Sequence, residues 1–178
     1  MRGRGQSFSG EFLVGFVMFM GCLILLLAMW NNSTKDVLIT ERKMIMSEQG
    51  VNAIEKLVRT PGTPDNWGVG NVTSLGLVNN SRILMPEKVK AFVRLMSDTD
   101  NDLCKPGIPN YECNAYLLGM GGFQFRFNMT YMNGTVAIVN GTRAETGRWW
   151  DNYTDSLALT RTAILGDEIV RIRFIIWR

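Results

Sequence analysis

The chain has no histidine. That absence removes the commonest metal ligand and the side chain best suited to acid–base chemistry near neutral pH. Nor is there a dominant sign of charge: 19 Lys and Arg stand against 16 Asp and Glu, scattered along 178 residues for a formal charge of +3. No basic stripe is available for nucleic acid, and no acidic tail for a basic partner. Cysteine is scarce, with three residues. The late carboxylates Asp151, Asp155, Asp167 and Glu168 come without a supporting nucleophile or metal-ligand pattern. No catalytic residue, metal or cofactor is therefore expected, and the chain does not read as an enzyme.

Charge is also missing locally. Between Phe12 and Trp30 there is no charged side chain in nineteen residues, and eleven of them are Leu, Ile, Val or Phe. As a helix rising about 1.5 Å per residue, this run spans roughly 28 Å, the thickness of a bilayer's hydrocarbon core. Those eleven residues together favour insertion by roughly 5 kcal/mol. Arg2 and Arg4 precede the run, so the positive-inside bias keeps the N-terminus in the cytoplasm and sends everything after Trp30 outside. A removable secretory signal would end in small residues, but an Ala28 cut would have Leu26 two positions earlier and Trp30 soon after. A lipoprotein reading at Cys22 has Phe19-Met20-Gly21 as its lead-in, and the apolar run continues beyond it.

An exterior location agrees with two further features. Asn-x-Ser/Thr sequons, none with Pro in the middle, occur at Asn31, Asn32, Asn71, Asn79, Asn128, Asn133, Asn140 and Asn152. They are glycosylation candidates, and a glycan has to point into solvent. Cys104 and Cys113 flank the turn-rich Lys-Pro-Gly-Ile-Pro-Asn-Tyr-Glu, and a disulfide between them is expected in an oxidising compartment. A loop this short would stabilise by about 2–3 kcal/mol in the chain-entropy view. A two-thiol metal site at the same pair lacks further ligands. Cys22 packs as a small hydrophobe in the apolar run.

After Trp30 the pattern stays helical. No proline interrupts Thr34 to Arg59, and Val37, Met44, Val51 and Val58 recur every seven residues, widened by Leu38, Ile45 and Ile54. Pro61-Gly62 stops the helix. If Asn31-Asn32-Ser33 does not break it, one helix of nearly fifty residues results. The segment around Trp67 is rich in turn formers, and Trp67 reads as a core plug. Pro86 opens a short amphipathic helix through Val89, Phe92, Val93 and Met96. The acidic stretch Asp98–Asp102 lacks the Gly and distal Glu of a calcium loop.

The last third changes to a period of two. Phe123, Phe125 and Phe127 alternate with polar residues, Asn133-Gly134 offers a hairpin turn, and Thr135–Val139 is the expected return strand. Leu157 to Leu165 suggests a further strand or a helix-to-strand passage, and Ile169–Trp177 a final strand. The fold class is α+β: a long N-terminal hydrophobic then amphipathic helix packed on a C-terminal antiparallel β-sheet head. The expected divisions are 1–5, 6–30, 31–60 and 61–178: leader, membrane or filament-core helix, amphipathic continuation, and extracellular head.

The N-terminal residues resemble archaeal type IV pilin-like proteins with class III signal peptides. The resemblance rests on Arg4-Gly5 before Gln6, on an early acid at Glu11, and on the hydrophobic helix that follows. The family's usual motif is Gln-x-Ser-x-Glu; here Phe8 stands at the Ser position and the acid is sixth, not fifth. The resemblance implies cleavage between Gly5 and Gln6 by a prepilin peptidase at the cytoplasmic side. It also implies a role for Glu11 in assembly with identical or related subunits, and extraction from the membrane into a helical surface filament. Removing Arg2 and Arg4 takes the formal charge from +3 to +1, so stacked subunits repel little. The alternatives are a membrane-anchored extracellular binding domain that never polymerises and a minor pseudopilin of a secretion system.

Overall fold

The computed structural model describes residues 10–80, 82–97, 109–149 and 155–178. The chain divides into two compact units, Met1–Lys43 and Met44–Arg178. One helix, α1 (Gly10–Arg59), runs through Asn31-Asn32-Ser33 without a break. In the first unit the described side chains of α1 are exposed, including those of the apolar run apart from the half-buried Met20.

The second unit is α+β. Its main sheet has strands β1 (Val78–Asn80), β2 (Ile83–Leu84), β3 (Gln124–Tyr131), β6 (Glu145–Gly147), β7 (Ser156–Leu165) and β8 (Glu168–Trp177). Their spatial order is β1-β2-β7-β8-β3-β6. Every neighbouring pair is antiparallel except β2 with β7, where Ile83 and Leu84 run parallel to Ile164 and Leu165. Alternation then sorts the side chains. Phe125, Phe127 and Met129 of β3 and Val170, Ile172, Phe174 and Ile176 of β8 are buried on one face. Arg126, Asn128 and Thr130, with Arg171 and Arg173, stand on the other.

The buried face is covered by the end of α1 and by α2 (Pro86–Leu95). From α1 the core takes Met46, Ala53, Ile54, Leu57 and Val58. Gly50 lies so close to the sheet that a Cβ there would stand 3.0 Å from Leu159 and 3.2 Å from Ile176. From α2, Phe92 meets Phe127 edge-on at 5.1 Å, and Phe125 stacks on Phe174 at 5.0 Å. A short helix α3 (Asn110–Asn114) brings the Tyr111 ring against Phe125 at 5.2 Å, where its hydroxyl accepts the Phe125 N–H at 2.9 Å.

Two sequence expectations are corrected, and one open alternative is settled. The heptad Val37, Met44, Val51, Val58 meets the core only at its end: Val37 and Met44 are exposed, Val51 is half-buried, Val58 is buried, and packing starts at Met46. A strict seven-residue repeat drifts by about 20° per heptad on a 3.6-residue helix. The sheet instead takes the stripe whose small residues, Gly50 and Ala53, permit close approach. The expected return strand Thr135–Val139 pairs with β3 only near the turn, through Tyr131 N to Thr135 O and Ala137 N to Met129 O. Ile138 and Val139 form β4, which pairs with β5 (Thr142–Arg143) in a separate two-stranded sheet. The cause is a second tight turn, with Asn140 and Gly141 at φ of 47° and 77°. Finally, 156–165 is one continuous strand rather than a passage from helix to strand.

Candidate functional site

The feature that sets this chain apart is the unburied apolar half of α1. A window of the helix is long and apolar enough to cross a membrane, and none of that window is buried. Phe12, Leu13, Val14, Phe16, Val17 and Phe19 begin the exposed run and Trp30 closes it. In water such a surface is far larger than a soluble monomer carries without a partner. Gly10, Gly15 and Gly21 have nothing within 4 Å of a built Cβ, so neighbouring backbones can approach closely there.

The end of the same helix is anchored by polar contacts as well as by packing. The Arg161 guanidinium on β7 donates to Glu55 at 2.6 Å, and Arg59 lies 2.6 Å from the other Glu55 oxygen. The hydrogen bond from Arg161 holds the Glu55 carboxyl below the usual carboxylate range against the opposing effect of burial. Beyond the helix, Trp67 is buried and its indole N–H donates to Pro61 O at 3.0 Å and Gly76 O at 2.8 Å. The buried Lys88 ammonium donates to Pro61 O at 2.6 Å and Val78 O at 3.3 Å, and desolvation pushes its pKa down. These bonds pin the 61–78 loop to the helix end, where Leu77 N donates to Leu57 O at 2.9 Å.

The expected site residues are distributed rather than gathered. Gly5 and Gln6 lie outside the described residues; Glu11 is in the first turn of α1. Asn31 and Asn32 are exposed on α1, Asn71 is exposed in a loop, and Asn79 is exposed on β1. Asn133 and Asn140 sit exposed on turns, and the Asn133 side-chain Oδ1 accepts the Thr135 N–H at 2.9 Å and hydroxyl at 2.7 Å. Asn128 differs: it lies mid-strand on β3 between β8 and β6, and its side-chain oxygen is buried. Asn152 and Cys104 are outside the described residues, so the expected bridge to Cys113 on α3 rests on a residue that is not described. Cys22 is a free, exposed thiol.

Among the described residues no group of three or more His, Cys, Asp or Glu is placed to hold a metal ion. An open cleft at one end of the sheet is lined by Tyr131, Met132, Asn133, Thr135, Asp167, Glu168 and Ile169. Its two carboxylates, Asp167 and Glu168, are adjacent in sequence where β7 turns into β8. Sequence reasoning did not find this cleft, because its walls come from two turns more than thirty residues apart. Compared with protein-family models, with curated proteins and with solved structures, the chain matches none.

Proposed function

We propose that this chain is a structural subunit of a type IV pilus-like surface filament. In this reading it is stored in a membrane by the apolar half of α1, processed at Gly5-Gln6 by a prepilin peptidase, and assembled with identical or related subunits. The observation that carries the reading is the division of one unbroken helix. Its first part exposes a membrane-length apolar surface, and its last turns are built into the core of an α+β head. A helix of that kind can exchange lipid for identical neighbours while its head stays folded. A Cys104–Cys113 bridge and glycans on the exposed sequons belong to the same reading, which places the head outside the cell.

The test is the mature N-terminus, determined by mass spectrometry on protein recovered from membranes and from sheared surface filaments. A chain starting at Gln6 in the filament fraction is the expected result. An intact Met1, with no chain in that fraction, would replace the reading with a static anchored domain. A Gln6 chain confined to membranes would mark a minor subunit instead.

A further inference from the structure

The open cleft at the end of the head sheet has a volume of about 740 Å³, within the span of roughly 300–1,000 Å³ that takes small ligands. Its walls divide by chemistry. Met132 and Ile169, 56% and 57% exposed, offer apolar surface, while Asp167 and Glu168 supply exposed carboxylates. That pairing suits a sugar ring, whose C–H face is apolar and whose hydroxyls donate to carboxylates. Asn133 and Thr135 also line the cleft, and they are the two ends of the sequon Asn133-Gly134-Thr135.

This sequon is held in a way that the others are not. Its tight turn is closed by Gly134 N donating to Tyr131 O at 3.0 Å, with Gly134 at a φ of 87°. On that turn Asn133 Oδ1 accepts both the N–H and the hydroxyl of Thr135, at 2.9 Å and 2.7 Å. The Nδ2 group of Asn133 makes no hydrogen bond among the described residues. In the Asn32 sequon the Thr34 hydroxyl donates instead to Trp30 O at 2.9 Å. In the Asn71 sequon Oδ1 accepts the Gly68 N–H at 2.7 Å, and the Thr73 hydroxyl donates to Thr63 O at 3.0 Å.

We propose that Asn133 is N-glycosylated and that the first sugars of its glycan lie in this cleft. The attacking group is Nδ2, the donor a lipid-linked sugar phosphate, and the catalyst a membrane-bound oligosaccharide transferase. The bond from Nδ2 to the sugar C1 forms as the C1–O bond to phosphate breaks. The lipid phosphate leaves with that electron pair, and Nδ2 loses one proton to the transferase. Negative charge gathers on Oδ1 as the nitrogen gives up its proton, and two donors of Thr135 are already directed at that oxygen. Seated in the cleft, the sugars cover Met132 and Ile169 and tie the turn at 131–135 to the turn at 166–169. This glycan depends on the proposed function in one respect, the placing of the head outside the cell.

The test takes the full chain from the cells that make it and maps sugar on its peptides by mass spectrometry, with sugar on Asn133 the expected result. The seat is read from head melting in detergent, each chain being compared with its sugar-free counterpart made in cells lacking the transferase. Loss of the sugar should lower the melting temperature of the parent by about 3 °C, and that of Ile169→Ser or Met132→Ser by less than about 1 °C. An unmodified Asn133, or a sugar whose loss shifts parent and variants equally, overturns the proposal. A membrane-impermeant amine reagent on intact cells separates this failure from failure of the underlying reading, because the exposed Lys90 of the head is labelled only outside the cell. An unmodified Asn133 with Lys90 labelled leaves the proposed function standing. With Lys90 unlabelled, both fall.

Discussion

The two parts of α1 use the same residue types for opposite ends. Leu25, in the first unit, is 66% exposed, whereas Leu57, in the second, is fully buried against the sheet. Gly21 faces open space, but Gly50 is pressed on Leu159 and Ile176. Hydrophobicity alone therefore does not say what a helical leucine is for. In the second unit it stabilises a fold; in the first it leaves an open apolar surface, which the proposed function assigns to lipid or another subunit.

The strongest way to break this comparison is with glycine. A methyl group on Gly76 would collide with the Thr60 carbonyl oxygen and the Gly62 backbone nitrogen, neither of which can move away cheaply. Gly76→Ala should cost about 4 kcal/mol or more and abolish the cooperative melting of the head. Gly21→Ala should leave that melting unchanged, as followed by circular dichroism in detergent. Equal effects of the two substitutions would refute the division.

Leucine sharpens the same contrast at lower energy. Leu57→Ala should destabilise the head by about 3 kcal/mol through lost burial and a residual cavity. Leu25→Ala should leave head stability untouched and weaken membrane insertion by only about 0.5 kcal/mol. Denaturant midpoints measure the first, and partitioning between membrane and soluble fractions the second.

The smallest effect is the pH dependence of the anchor at the helix end. Because the folded Glu55 carboxyl titrates below its ordinary value, its contribution is complete above the unfolded pKa. It disappears as pH falls through the lowered folded pKa. Arg161→Met should flatten this acid limb of the stability profile, while the same substitution at Arg42, on the exposed stretch of α1, should leave it in place. A limb that persists without Arg161 would assign it to other carboxylates.

Much of the architecture was legible because it is periodic. The uncharged run Phe12–Trp30, the proline-free helix, the alternation in 123–127 and 169–177, and the buried Trp67 each announce themselves within a short window. The heptad at Val37 and Met44 is a real pattern too, but it marks an exposed face: period fixes which residues share a side of the helix, not which side meets the core. Strands of two or three residues, such as β2 and β6, are too short to show alternation. The contact of Ile83 with Ile164 stayed hidden for a different reason. Ile83 and Ile164 become neighbours only through the register of a parallel pair. Of the expected site residues, the membrane-length run and the exposed sequons follow from local sequence, whereas the buried side-chain oxygen of Asn128 depends on β8 and β6 flanking it.

The position of β8 carries a consequence for how the head comes into being. It is the last strand in chain order, yet it lies at the middle of the sheet, between β7 and β3. Without residues 168–177, Phe125 lacks Phe174, and β7 and β3 lack the long antiparallel partner that joins them. Joining the sheet's two halves therefore requires closing distant pairs such as Gln124 with Trp177, and such non-local contacts slow folding.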